Sequence, residues 1–144
     1  MFNERLNYKV AVIKNIHEHE IDEEGKDSYK YAKEGASFSI TKNIYNETTI
    51  FLKQEISIEE LIEWIDLSPH KIGIVFTEGF RDLNYPTILC VKDSYEIKEQ
   101  ITENTKIISG IITKDKNSEI LDIQIPVLDI NDSFDEILKI FKIK

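Results

Sequence analysis

Short apolar runs alternate with amphipathic segments along this chain, and that alternation constrains the fold more than any other feature. Short apolar runs of this kind are typical of strands, and the run without alternation at 71–76 is typical of a central parallel strand covered on both faces. The runs are YKVAVIK at 8–14, KIGIVF at 71–76, TILCVK at 87–92 and KIISGIIT at 106–113. Strands that alternate with helices predict parallel β–α–β units. We therefore expect an α/β fold, a three-layer sandwich with a mostly parallel sheet.

Capping signals mark the clearest helices between these strands. Ser57 and Glu60 have the spacing of a capping box, in which each side chain bonds a free backbone amide of the first turn. Pro69 prevents that helix from continuing, and the same spacing at Ser133 and Glu136 predicts a last helix. The remaining expected elements are helices at 28–34 and 94–104, strands at 36–42, 48–53 and 125–128, and a turn at Asn43 and Asn46.

Composition limits the class of protein. The chain has 144 residues, so we expect a single domain over 1–144. A net charge of −9 argues against a nucleic-acid binder and against docking on an anionic membrane. The single cysteine, Cys90, excludes an internal disulfide. No apolar run is long enough to span a membrane, and the first residues lack a signal-peptide core. We therefore expect a cytoplasmic protein.

Histidines and carboxylates alternate in the loop after the first strand. His17, His19 and Asp22 offer imidazole and carboxylate groups, which bind Zn²⁺ and other divalent ions. Their spacing predicts a candidate metal site. The alternative is a solvated acidic loop that happens to contain histidines.

The sequence Gly25-Lys26-Asp27-Ser28 predicts an anion site. Lys26 supplies a cation, Ser28 a hydroxyl group, and the helix that follows supplies free amides. The sequence differs from the phosphate-binding motif G-x-x-x-x-G-K-S/T, because Asp27 stands between the lysine and the serine. The alternative is that Asp27 or Ser28 is an ordinary helix cap.

Glu78 and Gly79 follow the strand KIGIVF, at the end where ligands bind in parallel sheets. An acid in this place resembles the Walker B position, which orients Mg²⁺ or its water, and Gly79 allows a sharp turn. We expect Glu78 and Gly79 to face the same ligand as Lys26, Asp27 and Ser28. The alternative is an ordinary exit from a strand into a loop.

These segments together resemble the MobB family, the molybdopterin-guanine dinucleotide biosynthesis adaptors. The matching segments, in order, are YKVAVIK at 8–14, GKDSYKYAKEGA at 25–36, IGIVFTEGF at 72–80 and IPVLDIND at 125–132. The resemblance implies a P-loop NTPase-like fold, GTP and Mg²⁺ as cofactors, the molybdopterin cofactor as a possible ligand, and a homodimer. A molybdopterin-guanine dinucleotide transferase is the implied partner enzyme.

Relative to the family pattern, the first strand and its Walker A loop do not stand before Tyr8, and the segment 2–8 resembles the tail of the following helix. We therefore expect an accessory or adaptor protein with degenerate or absent GTP binding, which is not an enzyme on its own. One alternative is a GTP-hydrolysing subunit whose Walker A element comes from another chain. Another is a divalent-metal module that uses His17, His19 and Asp22.

Overall fold

The computed structural model describes residues 1–114 and 123–144 and divides into two compact units, 1–81 and 82–144. Three two-stranded sheets are present in the described residues, and two of them are parallel. The predicted α/β class with mostly parallel pairing is therefore confirmed. None of the described helices is long and apolar enough to cross a membrane.

The first unit contains three helices and four strands in the part of the chain that the structure describes. They are α1 (Phe2–Leu6), β1 (Val10–Lys14), α2 (Asp27–Lys33), β2 (Phe38–Lys42), β3 (Thr48–Leu52), α3 (Ile58–Asp66) and β4 (Ile74–Glu78).

Strands β1 and β4 form a parallel pair, in which Lys14 lies opposite Glu78. The Phe2 ring of α1 packs edge-to-face on Phe76 of β4, with 5.1 Å between the ring centroids. Strand β4 begins later than predicted and its apolar residues are only partly buried. The expectation that it is covered on both faces is therefore wrong for the described residues.

Strands β2 and β3 form an antiparallel hairpin. Its turn is held by the Asn43 side chain, whose Oδ1 accepts the backbone amides of Tyr45 at 2.9 Å and Glu47 at 3.1 Å. Asn46 adopts the left-handed region, with a φ of 66°, which asparagine tolerates better than most residues. The predicted turn is confirmed.

The capping box before α3 is also confirmed. The backbone amide of Ser57 donates to Glu60 Oε2 at 2.8 Å, and the amide of Glu60 donates to Ser57 Oγ at 3.2 Å. The Ser57 amide and the Ser57 hydroxyl, which also donates to Glu60 Oε2 at 2.8 Å, hold the pKa of Glu60 below its ordinary value, because both bonds favour the carboxylate. The helix begins where this sequence signal predicts.

The second unit is built on a parallel pair with a core of isoleucines. Ile107 and Ile108 of its second strand are completely buried. The elements are β5 (Thr87–Cys90), α4 (Ser94–Gln100), β6 (Thr105–Ser109), a 3₁₀ turn (Ile111–Lys114) and α5 (Phe134–Ile140).

The second unit differs from the sequence prediction in several details. Strand β6 ends at Ser109, because Gly110 turns the backbone with a φ of 99° and a Cβ there would lie 2.5 Å from the Val91 carbonyl. The expected strand at 125–128 is a single bridge between Val127 and Ile108. The capping box predicted at Ser133 is wrong, because its side chain makes no cap hydrogen bond.

Candidate functional site

The carboxyl ends of β1 and β4 bring Glu78 and Gly79 together with the residues that follow β1. Lys14 Nζ donates to Glu78 Oε1 at 3.0 Å, and the amide of Asn15 donates to the Glu78 carbonyl at 2.8 Å. The two side chains are 58% and 65% exposed, so their ion pair stabilises the fold by at most about 1 kcal/mol. Its main consequence is that the Glu78 carboxylate faces an ammonium group.

Gly79 is required by the backbone at this point. Its φ is 82°, and a Cβ atom there would lie 3.2 Å from the carbonyl oxygen of Asn15. A larger residue would be strained by the left-handed conformation and by that close approach. The predicted sharp turn is therefore present.

A second cluster surrounds Asp22, which is only 4% exposed. Ser28 Oγ donates to Asp22 Oδ1 at 2.8 Å, and Lys53 Nζ lies 3.5 Å from Asp22 Oδ2. Oδ2 accepts no hydrogen bond, so the lysine charge is its compensation. The same ammonium lies 5.6 Å from the centre of the Tyr29 ring. Asp22 therefore joins the loop, α2 and the end of β3 in one buried contact.

The two charged residues before Ser28 each pair with a near neighbour in sequence. Lys26 Nζ lies 3.5 Å from Glu23 Oε2, and Lys30 Nζ lies 3.4 Å from Asp27 Oδ1. Helix α2 begins at Asp27, so Lys26 is the N-cap residue and its side chain makes no cap bond. The alternative that Asp27 or Ser28 caps the helix is therefore wrong.

His17 and His19 are exposed, whereas Asp22 is buried against Ser28 and Lys53. Within 1–114 and 123–144, no group of three His, Cys, Asp or Glu side chains is arranged to hold a metal ion. Because Asp22 and Glu78 each face an ammonium, the carboxylates as arranged do not fit Mg²⁺. The metal site stays a prediction.

The comparisons with known proteins identify the family. A protein-family model described as "Molybdopterin guanine dinucleotide synthesis protein B" matches residues 2–114. The match covers most of the chain and includes residues of both units. The chain belongs to the MobB family. Its function therefore lies in molybdenum cofactor biosynthesis. No curated protein sequence matches this family member.

Solved MobB structures share its fold. A crystal structure of Bacillus subtilis MobB has a TM-score of 0.72 at 20% identity, over 99% of this chain and 85% of that one. A second Bacillus subtilis MobB structure has a TM-score of 0.68 at 16% identity, over 99% and 84%. A MobB homolog from Bacillus stearothermophilus has a TM-score of 0.62 at 13% identity, over 97% and 80%.

Sequence reasoning did not assign a site role to two lysines of this MobB family member. Lys14 could have been found, because it ends a strand that runs parallel to the strand of Glu78 and both ends meet at one sheet edge. Lys53 gives no such signal. It lies at the end of a hairpin, and only the tertiary fold brings it to Asp22.

Proposed function

We propose that this chain is an accessory protein in the synthesis of molybdopterin guanine dinucleotide and does not hydrolyse GTP on its own. The observation that carries the proposal is the match to the MobB family over residues 2–114. The adaptor role is supported by the state of the charged groups at the candidate site, each of which already has a partner of opposite charge.

Phosphate groups are bound by free cations and backbone amides, with Mg²⁺ held by oxygen ligands. Lys14, Lys26 and Lys53 all face carboxylates of their own chain. A nucleotide would have to displace those carboxylates, and Mg²⁺ would have to displace the lysines, which weakens binding modestly because the Lys14 and Lys26 pairs are exposed. The segment around Lys26 also lacks the spacing G-x-x-x-x-G-K-S/T that cradles phosphates, so we expect GTP to bind no more tightly than the millimolar range.

Isothermal titration of GTP with Mg²⁺ into the purified chain tests this expectation. We expect little or no heat at micromolar GTP and no phosphate release above the buffer rate. Micromolar binding that is lost in Lys26→Ala, but kept in the matched α2 variant Lys33→Ala, would contradict the proposal. It would favour the alternative of a nucleotide-dependent subunit.

The cellular role is tested separately. A strain deleted for its own MobB protein should recover its content of the guanine dinucleotide cofactor when this chain is expressed. Variants of the paired lysines, such as Lys14→Met, should restore that content as well as the original chain does. Failure of the folded chain to restore any cofactor would contradict the assignment to this step.

We also propose that the chain forms a homodimer and works with a molybdopterin-guanine dinucleotide transferase. Among the described residues β4 pairs only with β1, so this sheet has open edges. Open edges are templates for another strand, and a two-stranded sheet is only marginally stable by itself. Sedimentation of the purified chain should show a dimer. A monomer at micromolar concentration would contradict this proposal.

A further inference from the structure

The first unit carries an apolar groove between the β2–β3 hairpin and helix α3. Its volume is about 430 Å³. Alternate residues of the hairpin face it, because Phe38 lies opposite Leu52 and Ile40 lies opposite Ile50 in the antiparallel register. The opposite wall of this apolar groove is formed mainly by Trp64 and Leu67.

The groove side chains are exposed to an unusual degree. Ile40 is 58% exposed, Trp64 52% and Leu67 77%. A neighbouring cavity of about 530 Å³ shares Trp64 and Leu67 and continues the apolar surface towards Ile72. Contiguous apolar surface of this kind typically marks an interaction site.

The ionisable side chains that line the groove are all acidic. Its ionisable lining residues are Glu60 and Glu63, and α3 also carries Glu59 and Asp66 without a basic residue. The nearby ammonium of Lys53 is already paired with Asp22. The groove therefore offers an apolar floor with an acidic rim.

The backbone around the groove limits what shape of ligand can enter. The amides and carbonyls of α3 bond within the helix. The groove lies on the face of the hairpin, which presents side chains, whereas the backbone groups of β2 and β3 that are unpaired among the described residues lie along the outer edges of the hairpin. An incoming backbone would find mainly side chains to contact, and an unpaired buried amide or carbonyl is costly. A helix satisfies its own backbone, so it suits this groove better than an extended peptide.

We propose that the apolar groove docks a basic amphipathic helix of a partner protein. The nine residues of α3 span about 14 Å, which matches about two and a half turns of such a helix. Lysine or arginine beside its apolar face would pair with Glu60 and Glu63. A second copy of this chain fits less well, because α3 would bring carboxylates against carboxylates. This proposal does not depend on nucleotide binding.

The single tryptophan of the chain, Trp64, provides a local signal. The probe is a synthetic peptide of about 14 residues, built from leucine and lysine at helical spacing, titrated against Trp64 fluorescence. A matched peptide carries glutamate in place of every lysine. We expect the basic peptide to blue-shift the emission at micromolar concentration and the acidic peptide to leave it unchanged.

Matched variants separate docking in the groove from general attraction to an acidic protein. Leu67→Asp should weaken binding at least about tenfold, whereas Ile44→Asp, an exposed change at the hairpin turn, should not. Glu63→Gln should weaken binding more than Glu59→Gln, because Glu59 does not line the groove. Circular dichroism checks that each variant is folded.

Three results would overturn the proposal. The first is no binding of the basic peptide, and the second is equal binding of the two peptides. The third is a dimer of the original chain that Leu67→Asp, but not Ile44→Asp, converts to a monomer. In that case a second copy occupies the groove.

Discussion

Two lysine–carboxylate pairs in the first unit have the same chemistry but different surroundings. Lys14 and Glu78 lie 3.0 Å apart at an open sheet edge, where water solvates both groups. Lys53 lies 3.5 Å from Asp22, whose side chain is 2% exposed. We therefore expect the Lys14–Glu78 pair, although it is shorter, to contribute less to stability. Removing the lysine of a buried pair leaves an uncompensated buried carboxylate, which costs more free energy than the loss of an exposed pair. Burial matters more here than distance.

The largest expected effect is from Lys53→Met. It leaves the buried Asp22 carboxylate without its cation, and we expect a loss of about 3 kcal/mol of unfolding free energy, the low end of the range because Lys53 is partly exposed. Urea denaturation measures it. Lys42→Met, an exposed lysine on β2, is the control and should cost less than about 0.5 kcal/mol. A loss of stability in Lys53→Met as small as that in Lys42→Met would show that burial does not strengthen the Lys53–Asp22 pair.

Ser28→Ala should have the next largest effect. It removes the 2.8 Å hydrogen bond to Asp22 and leaves Oδ1 of a buried carboxylate unsatisfied, so we expect a loss of about 1–3 kcal/mol. Thermal or urea unfolding measures it. Ser68→Ala removes only a 3.4 Å hydrogen bond from the His70 amide and should cost about 0.5 kcal/mol or less. A Ser28→Ala variant as stable as the original chain would show that the buried Asp22 carboxylate does not need the Ser28 hydroxyl group.

The capping box of α3 allows the same comparison for Glu60, a carboxylate that is held by Ser57 and not by a lysine. Ser57→Ala should cost about 1 kcal/mol, while Ser133→Ala should cost almost nothing, because Ser133 makes no cap bond. Urea unfolding of the two variants, each compared with the original chain, measures the difference. Equal losses in the two variants would contradict the observed caps.

The same capping box has a pH signature. The pKa of Glu60 is lowered from 4.5 by its bonds to Ser57. Its contribution to stability is therefore complete above the unfolded pKa and is lost as pH falls through the lowered folded pKa. The stability difference between the original chain and Glu60→Gln should be constant from neutral pH to about 5 and shrink below that. A difference that grows on acidification would reverse the assigned sign.

The smallest expected effect is from Lys14→Met. We expect a loss below about 1 kcal/mol that disappears at high salt, because both partners are exposed. Urea unfolding at low and high salt measures this, with Lys9→Met as a control in the same part of the chain. A salt-independent loss as large as that of Lys53→Met would contradict the comparison.

Much of the fold follows from local sequence signals. The capping box at Ser57 predicted the start of α3, and Asn43 and Asn46 predicted the hairpin turn. Signals failed where a tertiary contact decides the outcome. The strand predicted to reach residue 113 ends at Ser109, because Gly110 must pass close to the Val91 carbonyl. The residues adjacent to Gly110 in sequence do not indicate that Val91 lies beside it in the fold.

The candidate site divides in the same way. The sequence by itself determined the family pattern, the parallel strands and the presence of Glu78 and Gly79 at a sheet edge, because strand patterns and turn residues act over a few positions. Only the tertiary structure decided that Asp22 is buried in contact with Lys53 and Ser28. The physical reason is that burial and charge pairing depend on residues far apart in the chain. The pattern of one segment gives no information about the distance between such residues in the folded protein.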